Sequence, residues 1–112
     1  MDEAHFDRVA HEELTALEDA FADIDPDDVE VSVSDGVLRL DLRDGTRIVI
    51  NSHRAARQIW MAAVSTAWHF DPAGPSWRAP KTGEELRPTL SRLIQQHTGV
   101  ARPGHGSDRC RA

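Results

Sequence analysis

The first twenty-five residues carry one apolar stripe at helical spacing. Its members recur every three or four positions: Phe6, Ala10, Leu14, Leu17, Phe21 and Ile24. This spacing predicts an amphipathic α-helix of about twenty residues. We expect it to end near Asp25, because the proline that follows disfavours helical geometry in the residue before it. Glu12, Asp19 and Asp23 fall together on the opposite face of this helix, with Glu18 on the flank.

Alternating apolar and polar positions then predict a run of short antiparallel strands. The inward positions are Val29, Val31, Val33, Leu38, Leu40, Leu42, Ile48, Ile50, Ile59 and Met61. Such alternation is typical of strands that are buried on one face, and Asp-Gly pairs at 35–36 and 44–45 supply tight turns. We expect a further strand over 67–70 and a very short one at 76–78, after a segment rich in turn residues, 71–75.

A second helix follows the strands. Thr82 and Glu85 have the spacing of a capping box, which predicts a helix start. Its buried face comprises Leu86, Leu90, Leu93, Ile94 and His97. Pro88 lacks a backbone donor, so we expect either a later start or a local distortion. Gly99 suits the end of the helix.

This order of elements predicts an α+β fold, a two-layer sandwich with the N- and C-terminal helices packed on one face of an antiparallel β-sheet. The other sheet face must then meet solvent or a partner. The length fits one domain, which we place at residues 1–99. Glycine, proline and scattered arginines predict that residues 100–112 form a disordered C-terminal tail.

Charge is divided unequally along the chain. Residues 1–44 hold 15 acidic residues and three arginines, a net of −12, whereas residues 45–112 hold four acidic and ten basic residues, a net of +6. Such asymmetry draws cations or a basic partner to one side of the molecule. It argues against nucleic-acid binding by the acidic half, because phosphates are repelled.

Other function classes find little support. No apolar run approaches the ~20 residues that span a bilayer, and the acidic N-terminus is unlike a secretory or mitochondrial leader, so we expect a cytoplasmic protein without membrane contact. The single cysteine, Cys110, excludes an intramolecular disulfide and a thiolate cage. The sequence has no glycine-rich phosphate loop and no Ser/His/Asp order with its expected turn. Enzymatic chemistry is therefore not expected.

Carboxylates crowd the first helix and the start of the first strand. They are Glu12, Glu18, Asp19, Asp23, Asp25, Asp27, Asp28 and Glu30. Their oxygens suit hard cations such as iron, manganese, calcium or magnesium. The spacing matches no closed calcium loop, so any bound metal is expected to be partly hydrated and weakly held. Solubility is the commoner reason for an acid-rich face, and composition alone favours that interpretation.

The outer sheet face offers a second candidate site at Val49, Asn51, Gln58 and Trp60. An outward tryptophan among amides is a candidate partner anchor, since tryptophan is enriched at interface hot spots. The alternative is that Trp60 only packs against its neighbours. The histidines carry less information: we interpret His69 as structural.

Taken together, these motifs resemble the frataxin family, in particular its bacterial CyaY-type branch, from about Phe6 to Gly99. The resemblance rests on the acidic first helix, Asp35-Gly36-Val37-Leu38, the run from Asp44 to Asn51, Gln58-Ile59-Trp60-Met61, Trp68-His69-Phe70-Asp71, Trp77, and Thr82-Gly83-Glu84. Its most specific part is the ordered set Asn51, Gln58 and Trp60 followed by the His-Phe-Asp strand.

The resemblance implies an iron-binding protein of iron–sulfur cluster assembly, an iron donor or iron-dependent regulator of the cysteine desulfurase and scaffold protein. The carboxylates that it implies as weak Fe²⁺/Fe³⁺ ligands, here called the acidic ridge, are Glu18, Asp19, Asp23, Asp25, Asp28 and Glu30. It places partner contacts at Asn51, Gln58 and Trp60. Ala22 and Ser32 stand where bacterial relatives often have acids, which implies fewer metal ions.

Three hypotheses follow for function. The first is the iron-binding regulator, expected as a monomer, with iron-driven oligomers left open. The second is a metal-indifferent, acidic protein–protein interaction module with Trp60 as its anchor. The third is a weak ferroxidase, which rests on the family resemblance alone.

Overall fold

The computed structural model describes residues 2–99, which form two helices and six strands. The elements are α1 (Glu3–Ala20), β1 (Val29–Ser34), β2 (Val37–Leu42), β3 (Arg47–His53), β4 (Gln58–Ala63), β5 (Thr66–Ala73), β6 (Ser76–Arg78) and α2 (Leu86–Thr98). The strands make one antiparallel sheet in chain order, so each strand pairs with the next. Among residues 2–99, no helix is long and apolar enough to cross a membrane.

Both helices pack on the same face of the sheet, as predicted. One buried cluster joins the α1 stripe and the α2 face to the inward positions of the strands. Its fully buried large side chains are Phe6, Leu17, Leu38, Leu40, Ile48, Ile50, Ile59, Met61, Phe70, Leu86, Leu90 and Ile94. The two-layer α+β sandwich is therefore confirmed, and the opposite, outer sheet face is not covered by either helix.

The turn between β1 and β2 shows how local chemistry sets the register. Asp35 and Gly36 both have positive φ, 51° and 77°, as a two-residue type I′ hairpin turn requires. A Cβ at Gly36 would lie 3.2 Å from the Ser52 hydroxyl oxygen, so a residue without a side chain also avoids crowding there. Val33 then pairs with Leu38 beside the turn. Its predicted buried position was wrong, because Val33 is 46% exposed on this edge strand, where only Val29 is fully buried.

Helix α1 ends at Ala20, earlier than the sequence predicts. The amide of Phe21 donates to the Glu18 carbonyl (3.1 Å) and that of Ile24 to the Phe21 carbonyl (3.1 Å). These three-residue spacings belong to tight turns, which place side chains on one side much as a helix does. Phe21 still reaches the core, but Asp23 lies in a turn and not on the helix face.

Helix α2 begins at Leu86, after the predicted capping box. Its N-cap, Glu85, makes no side-chain capping bond, and the Thr82 hydroxyl accepts instead from the Glu84 amide at 3.2 Å. The capping-box prediction was therefore wrong. The later start was correct, because Pro88 lies in the first turn, where its missing N–H would have no intrahelical partner. Gly99 ends the helix with φ of 81°, as expected.

Two further details differ from the sequence prediction. Residues 71–73 continue strand β5, and the turn occupies only Gly74 and Pro75. His97 is not fully buried: its side chain is 25% exposed and contacts the Asp44 carboxylate at 2.6 Å. The predicted tail, 100–112, and Cys110 lie outside the described residues.

Candidate functional site

The acidic ridge runs along one continuous segment from the end of α1 to β1. Glu18 and Asp19 occupy the last turn of α1, Asp23 the turn after it, and Glu30 lies on β1. Between them, the Asp25 carbonyl accepts from the amides of Asp28 (2.8 Å) and Val29 (3.1 Å). Five of the six ridge residues are exposed or nearly so, and Asp28 is half-buried.

Most ridge carboxylates keep their charge uncompensated within the described residues. Glu18, Asp19, Asp23 and Glu30 make no ion pair there. Asp25 accepts a hydrogen bond from the Asp27 amide at 2.9 Å. Three acids nearer the start of α1 behave differently, since they pair with arginines of the second half: Glu3 with Arg57, Asp7 with Arg54, and Glu13 with Arg87. Negative charge is thereby concentrated at the ridge.

The Glu13–Arg87 pair was missed by sequence reasoning. Glu13 is buried and receives two guanidinium hydrogen bonds, of 2.8 and 2.9 Å, from Arg87 on α2. This carboxylate raises the pKa of Arg87. The signal was present, because Glu13 lies three residues after Ala10 and four before Leu17, on the buried stripe. An acid there requires a partner in the fold.

Electrostatics within α1 also oppose the two helical ridge acids. The last turn of α1 carries Glu18 and Asp19 and no basic residue. The carboxyl end of a helix is its negative pole, so each anion there costs about 0.3–1 kcal/mol. A cation at this end would relieve that cost.

The ridge offers ligands of the right type without a finished metal site. No group of three or more histidine, cysteine, aspartate or glutamate side chains in residues 2–99 is arranged to hold a metal ion. Carboxylate oxygens nevertheless fit hard cations. An ion bound here would take few protein ligands and keep water in its remaining positions.

The outer sheet face carries a stack of three aromatic rings centred on Trp60. His53 lies against one face of the indole, with ring centroids 3.9 Å apart and planes 12° apart. His69 covers the other face at 4.2 Å and 14°. The strand register explains the stack, because Trp60 on β4 pairs directly with His69 on β5. On β3 it pairs with Asn51, and His53, two residues further along the same face, is its diagonal neighbour.

Hydrogen bonds fix the same tryptophan in the plane of its ring. The indole N–H of Trp60 donates to the Gln58 side-chain oxygen at 2.9 Å. The Gln58 amide nitrogen donates to the Asp71 carboxylate at 2.9 Å. Asn51, Gln58 and Trp60, the predicted partner residues, therefore lie together on adjacent strands. The sequence did not predict that two histidines cover this tryptophan. The packing of His69 agrees with its interpretation as structural, and His53 was recognisable only from the β3–β4 register.

The comparisons with known proteins agree with this fold. Residues 1–100 match the family described as the frataxin-like domain. The chain belongs to the frataxin family. The iron-sulfur cluster assembly protein CyaY of Dechloromonas aromatica is 35% identical over 102 residues, 90% of this chain and 96% of that protein. The corresponding protein of Pseudomonas fluorescens is 36% identical over 102 residues, 89% and 92% of the two chains.

Solved frataxin structures share the architecture. Frataxin from Psychromonas ingrahamii superposes with a TM-score of 0.80 over 86% of this chain and 90% of that chain, at 23% identity, which shows the fold alone. Trimeric frataxin from Saccharomyces cerevisiae, solved in complex with ferrous iron, gives a TM-score of 0.66 at 26% identity, over 89% and 88% of the two chains. The family resemblance inferred from the motifs is thus confirmed.

Proposed function

We propose that this chain is an iron-binding protein of iron–sulfur cluster assembly in the bacterial cytoplasm. It acts as an iron donor or as an iron-dependent regulator of the cysteine desulfurase and scaffold complex. The observation that carries the proposal is a contrast within the acidic half. Three acids of α1, Glu3, Asp7 and Glu13, pair with arginines of the second half. The ridge acids Glu18, Asp19, Asp23 and Glu30 have no ion pair among residues 2–99.

Two comparisons support this function. The bacterial relatives are named iron-sulfur cluster assembly proteins, and the yeast relative was solved in complex with ferrous iron. In this chain Glu18, Asp19, Asp23, Asp25, Asp28 and Glu30 would supply oxygen ligands to Fe²⁺ or Fe³⁺, each ion being weakly held and partly hydrated. The same carboxylates would meet a basic patch on the desulfurase, so iron and partner would act through shared charges.

A charge reversal on the ridge tests the metal assignment. Asp19→Lys should weaken anaerobic Fe²⁺ binding, followed by amide NMR, and should reduce capture of a bacterial cysteine desulfurase. Glu12→Lys is the matched control, because Glu12 is also an exposed acid of α1 but lies nearly two turns before the ridge. Iron-induced shifts that lie far from residues 18–30 and persist in Asp19→Lys would refute the ridge assignment.

The aromatic stack favours a second candidate function, an interaction module that is indifferent to metal. Trp60 is held by His53 and His69 on its two faces and by Gln58 at its N–H, so little side-chain freedom remains to be lost on docking. Equal desulfurase affinity with and without Fe²⁺, together with loss of binding in Trp60→Ala, would favour this function. Val64→Ala is the control, since Val64 is an exposed apolar residue outside the stack.

We propose no catalytic role beyond a weak ferroxidase activity. Oxygen consumption on addition of Fe²⁺, abolished by neutralising Glu18 and Asp19, would demonstrate that activity. Without iron we propose a monomer, and light scattering with and without Fe²⁺ would detect iron-driven assembly.

A further inference from the structure

One ridge carboxylate, that of Asp28, forms an ion pair within the protein. Arg43, the residue after β2, pairs through its guanidinium with the Asp28 carboxylate. The Arg43 amide also donates to the Asp28 carbonyl at 2.9 Å, so the backbone holds the two residues together even when the side chains part. Within residues 2–99, this is the only ion pair made by a ridge residue.

We propose that Arg43 is an internal counter-ion that competes with metal ions for Asp28 and directs them to the helical end of the acidic ridge. The inference rests on the proposed function, because it concerns the order in which the ridge carboxylates take up metal. A metal ion that approaches Asp28 meets the guanidinium charge and must displace it. At Glu18 and Asp19 no such competitor exists among the described residues.

The pair is suited to competition and not to permanent blockage. The Arg43 side chain is 61% exposed and that of Asp28 is 21% exposed. Ion pairs with one partner this exposed are weak, so a multivalent cation can open the contact. The backbone hydrogen bond keeps Arg43 beside Asp28, which gives the guanidinium a high effective concentration for return.

Neighbouring arginines reinforce the asymmetry at the sheet end of the ridge. Glu30 pairs in register with Asp41 on β2. Asp41 contacts the guanidinium groups of Arg39 at 3.3 Å and Arg47 at 2.9 Å. The two guanidinium groups offset the charges of Asp41 and Glu30 at the strand end of the ridge, whereas the last turn of α1 carries no basic residue. We infer that metal occupies the Glu18–Asp23 part first.

The test compares two arginine variants of the full chain with Mn²⁺ as an oxygen-seeking paramagnetic probe. Arg43→Gln removes the competitor. Arg78→Gln removes the same charge from β6, at the opposite edge of the sheet, where Arg78 pairs with Glu85. Amide line broadening is followed at Asp28 and at Asp19 during titration, and urea unfolding shows that each variant is folded.

In Arg43→Gln, apparent Mn²⁺ affinity at Asp28 should rise by roughly three- to tenfold, since one nearby unit charge is removed and one carboxylate is released. Affinity at Asp19 should change by less than about twofold, as should both sites in Arg78→Gln, because screening limits the reach of a distant charge. Arg43→Lys, which keeps the charge, should stay near wild type.

Unchanged affinity at Asp28 in Arg43→Gln, or an equal rise in Arg78→Gln, would overturn the counter-ion role. The two proposals fail in different ways. Broadening that appears at Asp28 only in Arg43→Gln, with none at Asp19 or elsewhere on the ridge of the wild-type protein, would sustain the counter-ion role while refuting metal binding by the natural ridge. Absence of ridge broadening in both proteins would refute both proposals.

Discussion

Removing negative charge from the last turn of α1 should make the protein more stable. The perturbation is Glu18→Gln or Asp19→Asn. Both side chains are exposed, neither makes an ion pair within residues 2–99, and the turn contains no basic residue. Because each substitution removes an unfavourable interaction with the helix dipole, it should raise the free energy of unfolding by about 0.3–1 kcal/mol. For a domain of this size that corresponds to a rise in Tm of about 1–8 °C.

The assay is urea unfolding in a buffer of low ionic strength, repeated at high salt. The gain should shrink at high salt, because screening weakens interactions between exposed charges. Glu3→Gln is the matched control: it is the same change in the first turn of the same helix, where the dipole has the opposite sign and Glu3 also contacts Arg57. That variant should lose stability.

A loss of stability in Glu18→Gln and Asp19→Asn, or a gain in unfolding free energy that is unchanged at high salt, would refute this reasoning. If the gain appears and the same variants bind Fe²⁺ more weakly, the ridge carboxylates oppose folding while serving cation binding. That combination is typical of a functional site and is not expected of a surface whose acids serve solubility alone.

Two further predictions concern contacts away from the ridge. Arg87→Met should lower the free energy of unfolding by about 2–3 kcal/mol, because the Glu13 side chain, 6% exposed, loses both charged donors. Urea unfolding measures this loss. Adding Glu13→Gln to the same chain should recover part of it, which would not happen if Arg87→Met caused an unrelated packing defect. Hydrogen bonds from the Thr46 side chain and amide, and from His97, lower the pKa of Asp44 from 3.8 to about 2. The stabilisation by Asp44 is therefore complete above about pH 4 and lost as pH falls towards 2. Asp44→Asn should flatten the pH dependence of the urea unfolding midpoint in this range. An unchanged pH profile in Asp44→Asn would contradict the assignment.

The fold was largely predictable because the central strands are buried on one face. Ile48 and Ile50, like Ile59 and Met61, are the fully buried members of alternating pairs, so period-two patterning identified both strands and faces. The end of α1 was not predictable in the same way. Tight turns repeat every three residues and keep Phe21 on the buried side, so the apolar spacing alone cannot show where the helix stops.

The sequence predicted which residues form the candidate site, but not which side chains contact each other there. The carboxylates were evident in the sequence, but their pairing depends on elements that are distant along the chain, as with Arg87 and Glu13, 74 residues apart. Likewise, the stack of His53, Trp60 and His69 follows from the register of three strands, which single-strand patterning does not determine. Of the three stacked rings, only that of Trp60 could be proposed from the sequence as a partner anchor.

The ring stack also gives the protein a built-in optical probe. The chain has three tryptophans and no tyrosine, and Trp68 and Trp77 are buried in the core. Trp60 is thus the one indole whose surroundings would change when a partner binds the outer sheet face. Its fluorescence emission can report occupancy of that face in unlabelled protein, with Trp60→Phe providing the background signal.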